Sequence, residues 1–222
     1  MTQTGSPDRA PGGARDAEAL DRLRRADPVI GRLIDEHPGF DPQAWLAQLP
    51  PMDAFGVLIF QVAGQQLSVA STRAILERLQ ERFGGRLPSP RELLAADPAD
   101  LRRAGFSARK VETLRELARR FEDGRLSAAA LTRMSDDEVE AELTSVRGIG
   151  RWTVDGFLLV ALQRPDVMLS GDLALRRAIR RAYQLDHLPS EGEVLEIAER
   201  WRPYRSLAVS YLFASEYEPP QA

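Results

Sequence analysis

Cysteine is missing from all 222 residues, which excludes disulfides, a thiolate nucleophile, cysteine-bound zinc and an iron–sulfur cluster together. Histidine is nearly absent too, with only His37 and His187, too few for a histidine-based metal centre. Lysine is rarer still. Lys110 is the sole one, so every other side-chain cation is an arginine, the planar, always-charged donor suited to phosphates. No stretch stays apolar for the roughly eighteen residues that a membrane-spanning helix needs. The start, MTQTGSPDRAPGG, lacks the apolar segment of a secretory signal, so a soluble, cytoplasmic protein is expected. Net charge is −3, which argues against a dedicated nucleic-acid binder unless some arginines share one face.

What is present is a globular composition, 43% hydrophobic and 28% charged, with a helical pattern. Residues 1 to about 15 are Gly-, Pro- and Ser-rich and read as a disordered tail. Beyond it, apolar residues recur at helical spacing through Ala19–Leu33, Phe55–Ala63, Val69–Phe83, Val111–Phe121, Val139–Val146, Thr153–Leu162, Leu173–Tyr183, Val194–Trp201 and Leu207–Phe213. Nothing alternates convincingly as a strand. The most strand-like run, Val57–Val62, lies in a longer apolar stretch of helical spacing and reads as a buried helix. Pro28 and Pro42 mark helix starts, each behind an aspartate that caps it. Ser135 with Glu138 and Ser190 with Glu193 have capping-box spacing. Ser68 and Ser107 are further N-cap candidates. Phe83–Pro90 and Gln163–Asp166 are connectors.

Two segments carry chemistry. In Leu143–Leu159, LTSVRGIGRWTVDGFLL, a helix ends in a Gly-Ile-Gly turn and another begins at once. Glycines permit positive φ and close backbone approach, and the N–H groups opening the second helix form an anion site that fits a DNA phosphate. This is a helix-hairpin-helix pattern, although GxG alone is equally an ordinary helix connection. The flanking cations Arg147 and Arg151 favour DNA. In Asp166–Arg181, DVMLSGDLALRRAIRR, Asp172 opens a helix, where the helix dipole favours a carboxylate. Alone, Asp172 reads as a plain helix cap. Its spacing of 22 residues from Gly150, one helix and one loop, brings it back beside the hairpin.

With these residues in view, the chain resembles the helix-hairpin-helix glycosylase superfamily, and within it the DNA-3-methyladenine glycosylase II branch. The likeness runs from about Asp27 to Tyr217 and rests on five ordered segments: Gly64–Val69, Arg102–Ala118, Val146–Val167, Gly171–Ala178 and Arg200–Phe213. It implies an all-α fold of HhH-GPD type, two helical subdomains flanking a DNA-binding cleft. Here these would be residues 52–165, with the hairpin, and residues 16–51 plus 166–222. The implied activity is excision of alkylated bases from double-stranded DNA by a monomer, with no membrane association. Departures are Arg147 and Leu169, where prolines are frequent in the family.

The resemblance assigns Asp172 as the catalytic carboxylate, which stabilises the positive charge that develops on the sugar as the glycosidic bond breaks. Members that also cut the backbone carry a lysine just after the hairpin glycines. Trp152 stands there, and a Schiff base needs an amine, so a monofunctional enzyme follows. Lys110 reads as a surface or phosphate-contacting lysine. Trp152 and Phe213 match aromatics of the base pocket, with plain core as the alternative for each. Gly156 replaces a pocket tyrosine, which implies a roomier pocket. The plug that fills the duplex after base flipping would come from Gln65, Gln66 and Leu67, with Gln66 and Leu67 competing to insert. Backbone contacts fall to Arg147, Gly148, Ile149, Gly150, Arg151 and Arg176, with Arg109 and Arg177 as further phosphate candidates and Arg205 as a brace for the helix of Phe213. No cofactor is implied beyond a structural Na+ or K+ on the carbonyls of Thr144, Val146 and Ile149. A catalytically silent hairpin module that binds damaged or structured DNA is the competing reading, and the presence of Asp172 favours the enzyme.

Overall fold

A computed structural model describes residues 14–41 and 51–217. Among them there is no strand, and the chain divides into two compact units, one of residues 49–164 and one that joins residues 1–48 to 165–222. The Pro42 helix start and most of the expected tail lie outside the described residues.

In the discontinuous unit, the periodic stretch Ala19–Leu33 is two helices, α1 (Ala14–Ala26) and α2 (Pro28–Glu36). The break is Asp27, whose side chain accepts from the N–H groups of Val29 at 2.9 Å and Ile30 at 3.4 Å. Proline at the first position of α2 has no N–H to satisfy and so suits the start. Asp27 is also fully buried. Its second oxygen accepts from the Tyr183 hydroxyl at 2.5 Å and from Trp201 Nε1 at 2.9 Å. Burial and the Asp27 hydrogen bond push the Tyr183 phenol far above its ordinary pKa. One carboxylate thus ties the first helices to two residues more than 150 positions later. The C-terminal elements are α11 (Leu173–Ala182), α12 (Glu191–Ala198), a 3-10 turn at Glu199–Trp201 and α13 (Arg205–Tyr217). Helix α13 packs on both α2 and α11. Asp166 anchors the start of α13: Arg205 meets both its oxygens, at 2.7 and 3.1 Å, and Arg202 adds a bond of 2.8 Å. Arg205 therefore braces the helix as expected.

The continuous unit is built around α3 (Ala54–Gly64), which is buried on nearly every face and packs against α4 (Val69–Arg82), α7 (Ala108–Glu122) and α10 (Arg151–Val160). A helix that is apolar all round belongs in a core, and this settles Val57–Val62 as helix. Between these lie α5 (Pro90–Ala95), α6 (Pro98–Ala104), α8 (Ala128–Arg133) and α9 (Asp136–Thr144). Ser68, Ser107, Ser135 and Ser190 all cap as expected, the last two within capping boxes. A third box, Ser89 with Glu92, sits where only a connector was read.

Arginines close the other helix ends. Arg78 Nε donates to Ala104 O at 2.9 Å, Arg115 to Ala96 O at 3.2 Å, and Arg32 to Ala182 O at 3.1 Å. The last carbonyls of a helix lack intrahelical donors and carry partial negative charge, so these cations act inside the protein.

Asp27→Asn would set amide N–H groups against the Tyr183 and Trp201 donors. The expected loss is about 2–4 kcal/mol of stability, read as a lower urea midpoint with the slope unchanged.

Candidate functional site

The hairpin is the link between α9 and α10, and its two glycines do different things. Gly148 has φ +96°, and a Cβ there would lie 2.3 Å from Thr113 Oγ1. That hydroxyl donates to the carbonyls of Arg147 at 2.9 Å and Arg109 at 3.0 Å, so α7 holds the turn by a contact that leaves no room for a side chain. Gly150 has ordinary extended backbone and caps α10 without a side-chain bond, with nothing within 4 Å of its Cβ position. No side chain of the cap residue therefore covers the start of α10. Val146 and Ile149 are buried and fasten the turn to the core.

The expected backbone contacts divide. Arg147 is exposed beside a groove lined by Arg109 and Arg120, by Thr113 and Ser145 and by the carboxylates of Glu112 and Glu116. Arg151, expected to contact phosphate, is exposed, pairs with Glu140 at 3.0 Å and lies 3.8 Å from Asp155. Arg176 donates through Nε to Pro189 O at 2.7 Å and so also holds the loop before α12. Arg177 is exposed on α11.

Of the three plug residues, Gln65 turns inward. Its Nε2 donates to Gly148 O and to Thr153 Oγ1, both at 2.9 Å, so it cross-links the loop to the hairpin. Gln66 and Leu67 form the exposed tip. Gln66 is in the left-handed region at φ +59°, a conformation that costs a non-glycine residue energy. Leu67 is 43% exposed, and Val69, which the sequence did not single out, is 67% exposed. Lys110 is no free surface cation: Nζ donates to the carbonyls of Ala63 and Gln65, both at 2.9 Å, and desolvation lowers its pKa.

Trp152 is half-buried on the first turn of α10, with its ring near Gly64 of α3. Gly156 does not open a roomier pocket. A Cβ there would meet the Gln61 carboxamide at 2.5 to 2.7 Å, so the glycine seats a glutamine side chain from α3.

In the discontinuous unit, Asp172 caps α11, accepting from Leu175 N at 2.9 Å, and is half-buried. Phe213 is half-buried on α13, between the buried Leu212 and Ala214.

Two helices joined across Gly148 and Gly150 within an all-helical frame define a helix-hairpin-helix protein. The sequence profile of the HhH-GPD superfamily base excision DNA repair proteins matches residues 59–203, and the chain belongs to that family. DNA-3-methyladenine glycosylase 1 of Schizosaccharomyces pombe is 36% identical over 158 residues, covering 70% of this chain and 69% of its own length. DNA-3-methyladenine glycosylase 2 of Escherichia coli is 30% identical over 206 residues, 87% of this chain and 67% of its own. The chain spans 55% of the length of another curated relative, from Bacillus subtilis. Among solved structures, the S. pombe 3-methyladenine DNA glycosylase in complex with abasic DNA superposes with a TM-score of 0.81 at 30% identity, over 92% of this chain and 99% of that one.

Gly148→Ala is expected to lose about 2–3 kcal/mol, from backbone strain and the broken Thr113 bridge. Gly150→Ala should stay within about 1 kcal/mol of the parent. Thermal unfolding of the two variants distinguishes the roles.

Proposed function

We propose that this chain is a monofunctional DNA glycosylase that flips an alkylated, 3-methyladenine-type base out of the duplex and hydrolyses its N-glycosidic bond, leaving an abasic site. The observation that carries the reading is Asp172, a half-buried carboxylate fixed at the start of α11 in a chain of a base excision family. As the bond breaks, positive charge grows on the deoxyribose. The carboxylate stabilises that charge and orients the attacking water. An alkylated purine already carries positive charge and leaves as a neutral base, so no second acid is required. Trp152 and Phe213 would stack on the flipped base, a cation–π contact for a cationic one. Gln66 and Leu67 would fill the gap that it leaves.

The start of α10, with a glycine and no side chain at its cap, and the exposed Arg147 and Arg109 support a DNA backbone running past the hairpin. The turn also offers the carbonyls of Thr144, Val146 and Ile149. Neutral oxygen donors of this kind suit a monovalent cation, which would bridge to a phosphate; the Val146 carbonyl already accepts from Ile149 N at 3.0 Å. Monofunctionality is supported by Trp152 in the lysine position and by Lys110 being engaged on two carbonyls. One chain carries both hairpin and carboxylate, in keeping with a monomer, and a DNA substrate puts it with the DNA in the cytoplasm.

Asparagine caps helices as well as aspartate does, so Asp172→Asn separates the charge from the cap. Single-turnover release of 3-methyladenine from methylated duplex should fall by about two orders of magnitude or more, with affinity for an abasic-site duplex unchanged. Wild-type protein that binds the duplex but releases base no faster than the variant would sink the enzyme reading. Products should be intact abasic sites that break only in alkali, and borohydride should trap no covalent complex. Gly150→Ala should weaken duplex binding while changing stability by no more than about 1 kcal/mol.

A further inference from the structure

We infer that Gln61 is a specificity-determining residue that reads the hydrogen-bonding edge of the flipped base, an assignment that rests on the glycosylase reading above. Gln61 is the one side chain of α3 with a polar group, and it is only 5% exposed. Among the described residues nothing donates to or accepts from its carboxamide, yet its polar atoms are not sealed from solvent. An amide so far withdrawn from solvent and without a protein partner is unfavourable unless water or a ligand meets it.

Its seat is built. The Gln61 Oε1, Cδ and Nε2 atoms lie 2.5, 2.6 and 2.7 Å from the Cβ position of Gly156. These near-equal distances put the face of the carboxamide, rather than its edge, on the glycine. The N–H and C=O edge is thereby kept off Gly156. Any residue but glycine at 156 would displace it.

The same seam carries the indole. Gly64 lies one turn beyond Gln61 on α3, and a Cβ there would be 3.7 Å from Trp152 Cη2. Trp152 lies four residues before Gly156, hence on the same face of α10. A base stacked on Trp152 would present its rim to a side chain one helical turn away. A carboxamide offers one donor and one acceptor side by side. That pair matches a purine with a neighbouring acceptor and donor, as in the ring nitrogen and 6-amino group of 3-methyladenine.

Gln61→Met keeps the length of the side chain and its fit to an apolar helix while removing both hydrogen-bonding groups. Single-turnover release of 3-methyladenine from methylated duplex is expected to fall about 10- to 100-fold. Affinity for a duplex carrying an abasic-site analogue, which has no base to read, should stay within twofold, and the melting temperature should be unchanged or higher. A fall of less than fivefold overturns the assignment. So does a larger fall accompanied by equal loss of abasic-duplex affinity or by a lower melting temperature, either of which marks the carboxamide as structural. If the wild type itself releases no base, the glycosylase reading fails and takes this assignment with it; in every other outcome that reading stands.

Discussion

A single buried carboxylate organises the discontinuous unit. Asp27 is completely removed from solvent, and a charge so placed persists only when every lone pair is used. Its partners come from both ends of the chain: the opening N–H groups of α2, then Tyr183 and Trp201. The N-terminal helices therefore have to assemble with the C-terminal ones, and residues 49–164 form a unit inserted between them. Asp166 repeats the device where the chain re-enters, gathering Arg202 and Arg205. That cluster fixes the start of α13 and hence the helix on which Phe213 sits.

The bias toward arginine has an internal cause. Every helix end leaves C-terminal carbonyls without intrahelical donors, and Arg32, Arg78 and Arg115 supply three of them. Arg176 and Arg151 are also engaged, one with a loop carbonyl and one with acidic neighbours. Even the sole lysine does this work at the end of α3. Among the cations of the hairpin region, Arg147 and Arg109 face outward. A protein of net charge −3 can then still offer a local positive site, because distribution rather than total charge decides what approaches a surface.

Around the hairpin, conformational freedom and close approach are divided between neighbouring positions. Gly148 accepts the strained turn and the contact with Thr113, whereas Gly150 puts no side chain over the helix start. Gln65 then fastens the preceding loop to the same turn, so that Gln66 and Leu67 project from a braced base. Gly156 follows a similar logic one helix later, since its missing side chain makes room for the Gln61 carboxamide. A position that reads as empty in the sequence is filled from another helix.

The sequence by itself determined what depends on neighbours within a turn or two. The helices and their caps at Ser68, Ser107, Ser135, Ser190 and Asp172 follow from i to i+3 contacts, and the break in α1–α2 was visible in Asp27-Pro28, though its importance was not. The Gly-Ile-Gly turn, the carboxylate 22 residues beyond it and the absence of a lysine beside it are equally local facts. Only the tertiary structure decided which polar groups face one another across long separations. Asp27 with Trp201, Gln65 with Gly148, Lys110 with Ala63 and Gln61 over Gly156 all join residues 47 to 174 positions apart. No periodicity encodes such pairs. They arise because each buried donor, acceptor or void has to be satisfied by whatever side chain the packing brings to it.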